Sequence, residues 1–155
     1  MITTLIWRSE ADAKHSANRL APEPALQNAF IELRGDLGAG KTTFTRHLLR
    51  ALGVTGPIKS PSYTVVEPYE TPAGLRVWHF DFYRFRDPRE WEDAGLRDLF
   101  TAQGLKIAEW PEHAAGVLPR ADLVLELTVK ATGAREVGIM AGSAAGSRLL
   151  HALVT

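Results

Sequence analysis

An α/β fold, a mixed β-sheet flanked by helices, is what the sequence predicts for a single domain spanning residues 1–155. Three observations lead there. Short apolar runs at 29–33 and 105–109 read as buried strands. Phe44, Leu48, Leu49 and Leu52 recur at helical spacing. Between the first run and that helix lies the glycine-rich loop Gly35-Asp36-Leu37-Gly38-Ala39-Gly40-Lys41-Thr42, so strand, loop and helix follow one another directly.

Composition sets the bounds. A chain of 155 residues, 45% hydrophobic and 23% charged, can bury a core without covalent staples. It has no cysteine, which excludes disulfides, thiolate zinc sites and cysteine nucleophiles. The N-terminal apolar run meets Arg8 and Glu10 at once, and no later run is long enough to cross a bilayer. A cytoplasmic location without a membrane partner is expected. Lysine and arginine number 18 and aspartate and glutamate 18, so the basic footprint of a self-sufficient nucleic-acid binder is missing. If RNA enters the biology, a partner carries most of the contact.

Along the chain, residues 2–7 alternate as a strand. Ser9, with Asp12 three residues on, can cap a helix reaching Leu20, and Ala21-Pro22-Glu23-Pro24 stops it. The helix after the glycine loop ends at Gly53, and 53–63 form a proline-bearing loop. Extended segments at 64–70 and 75–84 are joined by the turn Thr71-Pro72-Ala73-Gly74. Asp87-Pro88-Arg89-Glu90 opens the next helix with an N-cap, a proline and an acid, and Gly95 interrupts it before 96–102. After the strand at 105–109, segments 123–130 and 136–140 form a second hairpin turning at Gly133. A final helix at 143–154 directs Leu149, Leu150 and Leu153 inward.

The loop from Gly35 to Thr42 satisfies the full eight-position P-loop pattern. Its glycines let successive backbone N–H groups converge on phosphate oxygens, and the helix N-terminus adds its positive end. Lys41 can reach the outer phosphates and the Thr42 hydroxyl can bind Mg. A chance glycine-rich turn is the plainer alternative, which the flanking strand and helix disfavour.

Three more segments carry candidate chemistry. In Val77-Trp78-His79-Phe80-Asp81-Phe82-Tyr83-Arg84, Trp78, Phe80 and Phe82 share one face, while His79, Asp81 and Tyr83 share the other. The first set reads as core. Asp81 can serve as the carboxylate that holds Mg, a metal-bound water or the attacking water, against the alternative of a strand-end acid paired with arginine. His79 taken alone suits a hydrogen-bonded structural role. In Ile107-Ala108-Glu109-Trp110-Pro111, Glu109 ends an apolar strand, where open α/β sheets place their ligands. It is a second candidate carboxylate, or else an exposed acid before a proline; Trp110 suits a wall or the core. Lys59-Ser60-Pro61-Ser62-Tyr63-Thr64 follows the P-loop helix, where the hydroxyls of Ser60, Ser62 and Thr64 can sense the terminal phosphate or merely decorate a solvated turn.

What is missing narrows the choice. The only asparagines are Asn18 and Asn28, so there is no guanine-reading Asn-Lys-x-Asp motif, and Asp-x-x-Gly is absent too. The chain is not a conventional GTPase. Its five histidines show no zinc-ligand spacing.

Together the P-loop with Thr43, Ser60-Pro61-Ser62-Tyr63-Thr64, His79-Phe80-Asp81-Phe82-Tyr83-Arg84 and Glu109-Trp110-Pro111 resemble the TsaE (YjeE) family, bacterial ATPases of tRNA threonylcarbamoyladenosine biosynthesis. The resemblance is close over residues 25–120 and in outline elsewhere. It implies an ATP- and Mg-dependent hydrolase, weak alone, that supports turnover of an assembly of TsaD and TsaB. That assembly modifies the adenosine beside the anticodon, so tRNA would be reached through the complex. It further implies a metal shell of Thr42 and Glu109, with Asp81 essential and close by. Implied nucleotide contacts are Asp36, Leu37, Gly38, Ala39, Gly40, Lys41, Thr42 and Thr43, with Glu10 and Arg135 beyond the loop. Ser62 stands where the family more often has threonine, and the hydroxyl is kept. Two other classes compete: a small-molecule kinase, for which Arg84, Arg86, Arg89 and Arg97 would furnish a lid, and a nucleotide-sensing module without useful hydrolysis.

Overall fold

The computed structural model describes residues 1–87 and 89–155, with Asp93 described in its backbone alone. Its centre is a seven-stranded sheet. The strands are β1 (Thr3–Trp7), β2 (Phe30–Arg34), β3 (Val66–Glu70), β4 (Arg76–Asp81), β5 (Leu105–Glu109), β6 (Leu123–Val129) and β7 (Arg135–Ala141). Their spatial order is β1-β7-β6-β2-β5-β4-β3. The four central strands β6, β2, β5 and β4 run parallel, while β1, β7 and β3 are added antiparallel. The mixed sheet expected from the sequence is therefore present, with β2 and its loop at the middle.

Alternation divides the side chains between two cores. On one face, Ile31, Leu33, Ile107, Leu125, Val137 and Ile139 pack against α1 (Glu10–Leu20), α2 (Lys41–Ala51) and α5 (Ala144–Val154). Phe44, Leu48 and Leu49 of α2 and Leu149 and Leu153 of α5 are buried there, and Leu150 is partly buried. On the other face, Phe30, Trp78, Phe80 and Phe82 form a largely aromatic cluster with Trp91 of α3 (Arg89–Asp93) and Leu96 at the start of α4 (Arg97–Thr101). Trp78, Phe80 and Phe82 are core, as their shared face implied.

Several boundaries differ from the sequence reading, each for a local reason. Ser9 sits at the N-cap of α1 without a side-chain cap bond; Asp12 instead accepts the N–H of Arg8 at 2.7 Å. The segment 64–70 is a strand only from Val66, because Val65 has φ +71° and breaks the extended run. The segment 75–84 stops at Asp81, where the Asp81 carboxylate accepts the N–H of Tyr83 at 2.9 Å and turns the chain. A 3₁₀ turn at Pro24–Asn28, which the proline cluster concealed, leads into β2. Pro88, expected to open α3, lies outside the described residues; Asp87 accepts the N–H of Arg89 at 2.9 Å. Ser143 caps α5 through Gly146 N–H at 3.0 Å.

Candidate nucleotide site

The glycine loop joins the C-terminal end of β2 to the first turn of α2. Gly35 is required sterically: it has φ +145°, and a Cβ there would lie 2.6 Å from the Leu127 carbonyl oxygen of β6. Gly40 caps α2 at φ +108°, in the left-handed region. Lys41 is buried; its ammonium donates to the carbonyls of Gly35 and Asp36 and lies 4.0 Å from the Trp110 ring centroid. Burial lowers its pKa, against the opposing pull of Glu109, Glu112, Asp81 and Asp36.

The carboxylates arrive from neighbouring strands. Parallel pairing of β4 and β5 sets Asp81 opposite Glu109 at the sheet edge where the loop opens. Glu109 is 2% exposed, and Thr42 Oγ1 donates to its two carboxylate oxygens at 2.9 and 3.0 Å. His79 Nε2 approaches Glu109 Oε2 to 2.6 Å, so His79 has the hydrogen-bonded place its lone reading suggested. Asp81 is also buried, and its backbone N–H donates to Val65 O at 2.9 Å. Burial pushes the Asp81 carboxyl up, opposed chiefly by the bond from Tyr83 N–H.

A cavity of about 460 Å³ opens over these groups. Residues 37–43 line it together with Ser60, Ser62, Asp81, Arg84, Glu109 and Arg135. Thr64 does not; its hydroxyl donates to Glu67 at 3.0 Å. Asp36 lies behind, in an adjoining recess with Gly35, Ala39 and Trp110. Glu10 lines a smaller recess on the far side of the loop, shared with Ala39, Gly40, Thr43 and Arg135, and its carboxylate is 3.0 Å from His47 Nε2. Arg135 donates to the carbonyls of Ala39 (3.1 Å), Gly38 (3.3 Å) and Gly133 (2.6 Å), so its guanidinium braces the loop's outer side. A larger cavity of about 910 Å³ lies by the C-terminal ends of α1 and α2, and none of these residues lines it.

Two readings the sequence left open are decided by the packing around the cavity. Trp110 is a wall of the cavity, held at φ +55°, a conformation costly for a non-glycine residue, with Pro111 behind it disfavouring a right-handed turn. Tyr83 and His113 pack against it at 5.1 and 5.2 Å, while the His113 ring bonds the Phe82 and Tyr83 carbonyls at 3.1 and 2.9 Å. Of the arginines read as lid material, Arg89 pairs with Asp87 and Arg97 with Glu92, whereas Arg84 reaches the cavity and stacks over Tyr63 at 4.0 Å.

The donors suit a divalent ion that keeps other ligands. A hydroxyl and a carboxylate converge at Thr42 and Glu109, the hard oxygen pair that Mg accepts beside phosphates and water. Among the described residues no group of three or more His, Cys, Asp or Glu could hold a metal ion by itself. Nor, among them, is any helix long and apolar enough to cross a membrane.

A glycine loop on the central strand of a mostly parallel sheet, opening onto acids of the neighbouring strands, defines a P-loop nucleotide-binding protein. The family described as threonylcarbamoyl adenosine biosynthesis protein TsaE matches residues 7–137, and the chain belongs to it. The tRNA threonylcarbamoyladenosine biosynthesis protein TsaE of Haemophilus influenzae is 42% identical over 123 residues, 79% of this chain and 77% of that protein. The Aquifex aeolicus protein of the same name is 34% identical over 141 residues, 90% and 96% of the two chains. The crystal structure of Bacillus subtilis YdiB superposes with a TM-score of 0.78 at 28% identity, covering 99% of this chain and 95% of that one. The chain is thus a member of a family that acts in tRNA threonylcarbamoyladenosine biosynthesis.

Proposed function

We propose that this protein is a Mg-dependent ATP hydrolase that sustains turnover of a TsaD–TsaB assembly in threonylcarbamoyladenosine modification of tRNA. The observation that carries this reading is the meeting of Thr42, Glu109 and Asp81 beneath the glycine loop, with Thr42 and Glu109 2.9 Å apart. Backbone N–H groups of residues 38–42 would hold the phosphates, and Lys41 would leave the Gly35 and Asp36 carbonyls to meet the outermost one. Thr42 and Glu109 would hold Mg, which when bound supplies positive charge to the terminal phosphate. Asp81 would orient the attacking water, and Ser60 and Ser62 would sense the terminal phosphate from the cavity wall. Glu10, Thr43 and Arg135 border the recess left for the remainder of the nucleotide.

ATP turnover of the purified chain, measured with and without TsaD–TsaB and alongside tRNA modification, tests the reading. Hydrolysis is expected to be weak alone and to rise with partners. Lys41→Ala should abolish most of it, because the cation facing the outer phosphates is lost. Normal turnover by Lys41→Ala would remove the phosphate-site assignment.

A further inference from the structure

His79 lies beneath the cavity, 1% exposed, on β4 two residues before Asp81. It does not line the cavity, so it can influence a bound nucleotide only through a neighbour. That neighbour is Glu109, whose Oε2 is 2.6 Å from His79 Nε2. The other ring nitrogen, Nδ1, has no hydrogen-bond partner among the described residues. A proton on Nδ1 would be a buried donor without an acceptor, a cost of about 1–3 kcal/mol. A proton on Nε2 bonds a carboxylate at charge-assisted distance. The ring therefore donates from Nε2. Thr42 Oγ1 reaches the same carboxylate from the first turn of α2. Glu109 is thus held from two sides, by a ring fixed in β4 and by a hydroxyl of the phosphate-binding helix.

We propose that His79 is a positioning residue, which anchors Glu109 through Oε2 and keeps that carboxylate turned toward Thr42 and the divalent ion the pair would bind. The proposal rests on the Mg-dependent reading above. A glutamate side chain has free rotors, and the sheet fixes only where it starts. Without the Nε2 donor, Oε2 would be a buried acceptor lacking one partner, and the carboxylate would rotate to find another.

The test compares full-length His79→Leu, which removes the donor at similar volume, with His79→Gln, which places an amide N–H near the position of Nε2. ADP affinity is measured by calorimetry in Mg and in EDTA, together with the Mg concentration giving half-maximal turnover. His79→Leu is expected to raise that concentration about 10- to 100-fold, as loss of a ligand-orienting partner does. It should also diminish the tightening of ADP by Mg while leaving affinity in EDTA near wild type. His79→Gln should recover most of the loss, and His79→Leu should add nothing once Glu109→Gln is present. A folded His79→Leu that keeps the full Mg effect, where Glu109→Gln has lost it, overturns the proposal and leaves the metal site standing. If Thr42→Ala and Glu109→Gln both keep the Mg effect, the metal-site reading itself fails and takes the proposal with it. Should the His79 variants not fold, ¹⁵N resonances of the wild-type imidazole decide: a proton on Nε2 supports the role, and one on Nδ1 alone overturns it.

Discussion

Asp81 and Glu109 lie side by side in register, yet their surroundings differ. Glu109 accepts from Thr42 and approaches His79, so its oxygens are committed toward the helix that carries the phosphate cradle. Asp81 accepts only a backbone N–H among the described residues, that of Tyr83, and faces the cavity. On the function proposed above, these surroundings suit divided labour. Glu109→Gln should raise the Mg concentration needed for half-maximal turnover, whereas Asp81→Asn should lower the maximal rate with nucleotide affinity largely kept. A Mg titration of both variants checks this; rescue of Asp81→Asn but not Glu109→Gln by excess Mg would exchange the roles. Burial also gives Asp81 a stability signature. Its folded pKa is raised, so the folded state binds the proton more tightly than the unfolded chain does. The group then favours folding below the ordinary aspartate pKa of 3.8, and this contribution is lost as pH rises through that value toward the raised one. Asn keeps the oxygen that accepts from Tyr83 N–H and removes the buried charge. Asp81→Asn should therefore be more stable than wild type at neutral pH, with the advantage shrinking near pH 3, as denaturant melts at the two pH values would show.

At the scale of elements, the segment from Ser60 to Val65 ties the cavity wall to β4. Ser60 and Ser62 line the cavity, Val65 accepts the N–H of Asp81, and Val65 itself is held at φ +71°, a strained conformation for a β-branched residue. A segment so placed can respond to a phosphate above it. Amide exchange from Ser60 to Val65 should be slower with a non-hydrolysable triphosphate than with the diphosphate. Equal protection in both states would make it a plain connector. Thr64 points instead to Glu67, so Thr64→Ala should leave that difference intact.

Over the whole molecule, the site depends on the aromatic core beneath it. Phe80 lies between His79 and Asp81, wholly buried, stacks with Phe82 at 5.7 Å and packs at a tilt against Phe100 at 4.6 Å. Phe80→Ala should cost about 3–5 kcal/mol of stability in denaturant titrations, through lost burial and the cavity left behind. Because β4 carries both His79 and Asp81, turnover should fall with it.

The sequence by itself determined the parts whose chemistry is local. The P-loop is legible because its glycines, Lys41 and Thr42 work within eight consecutive residues, and the strand and helix around it follow short-range periodicity. The alternation in Val77–Tyr83 likewise separated the buried aromatics from His79 and Asp81. Only the tertiary structure decided what depends on register between distant strands. The pairing of β4 with β5 brings His79 and Asp81 to Glu109, about 30 residues away in sequence, a distance that no propensity encodes. The same holds for Trp110 over Lys41, for Arg135 braced on the loop carbonyls, and for Thr64 turning away while Ser60 and Ser62 face inward. These were settled by long-range packing and by the left-handed turns at Val65 and Trp110, which local sequence preference opposes and the surrounding fold enforces.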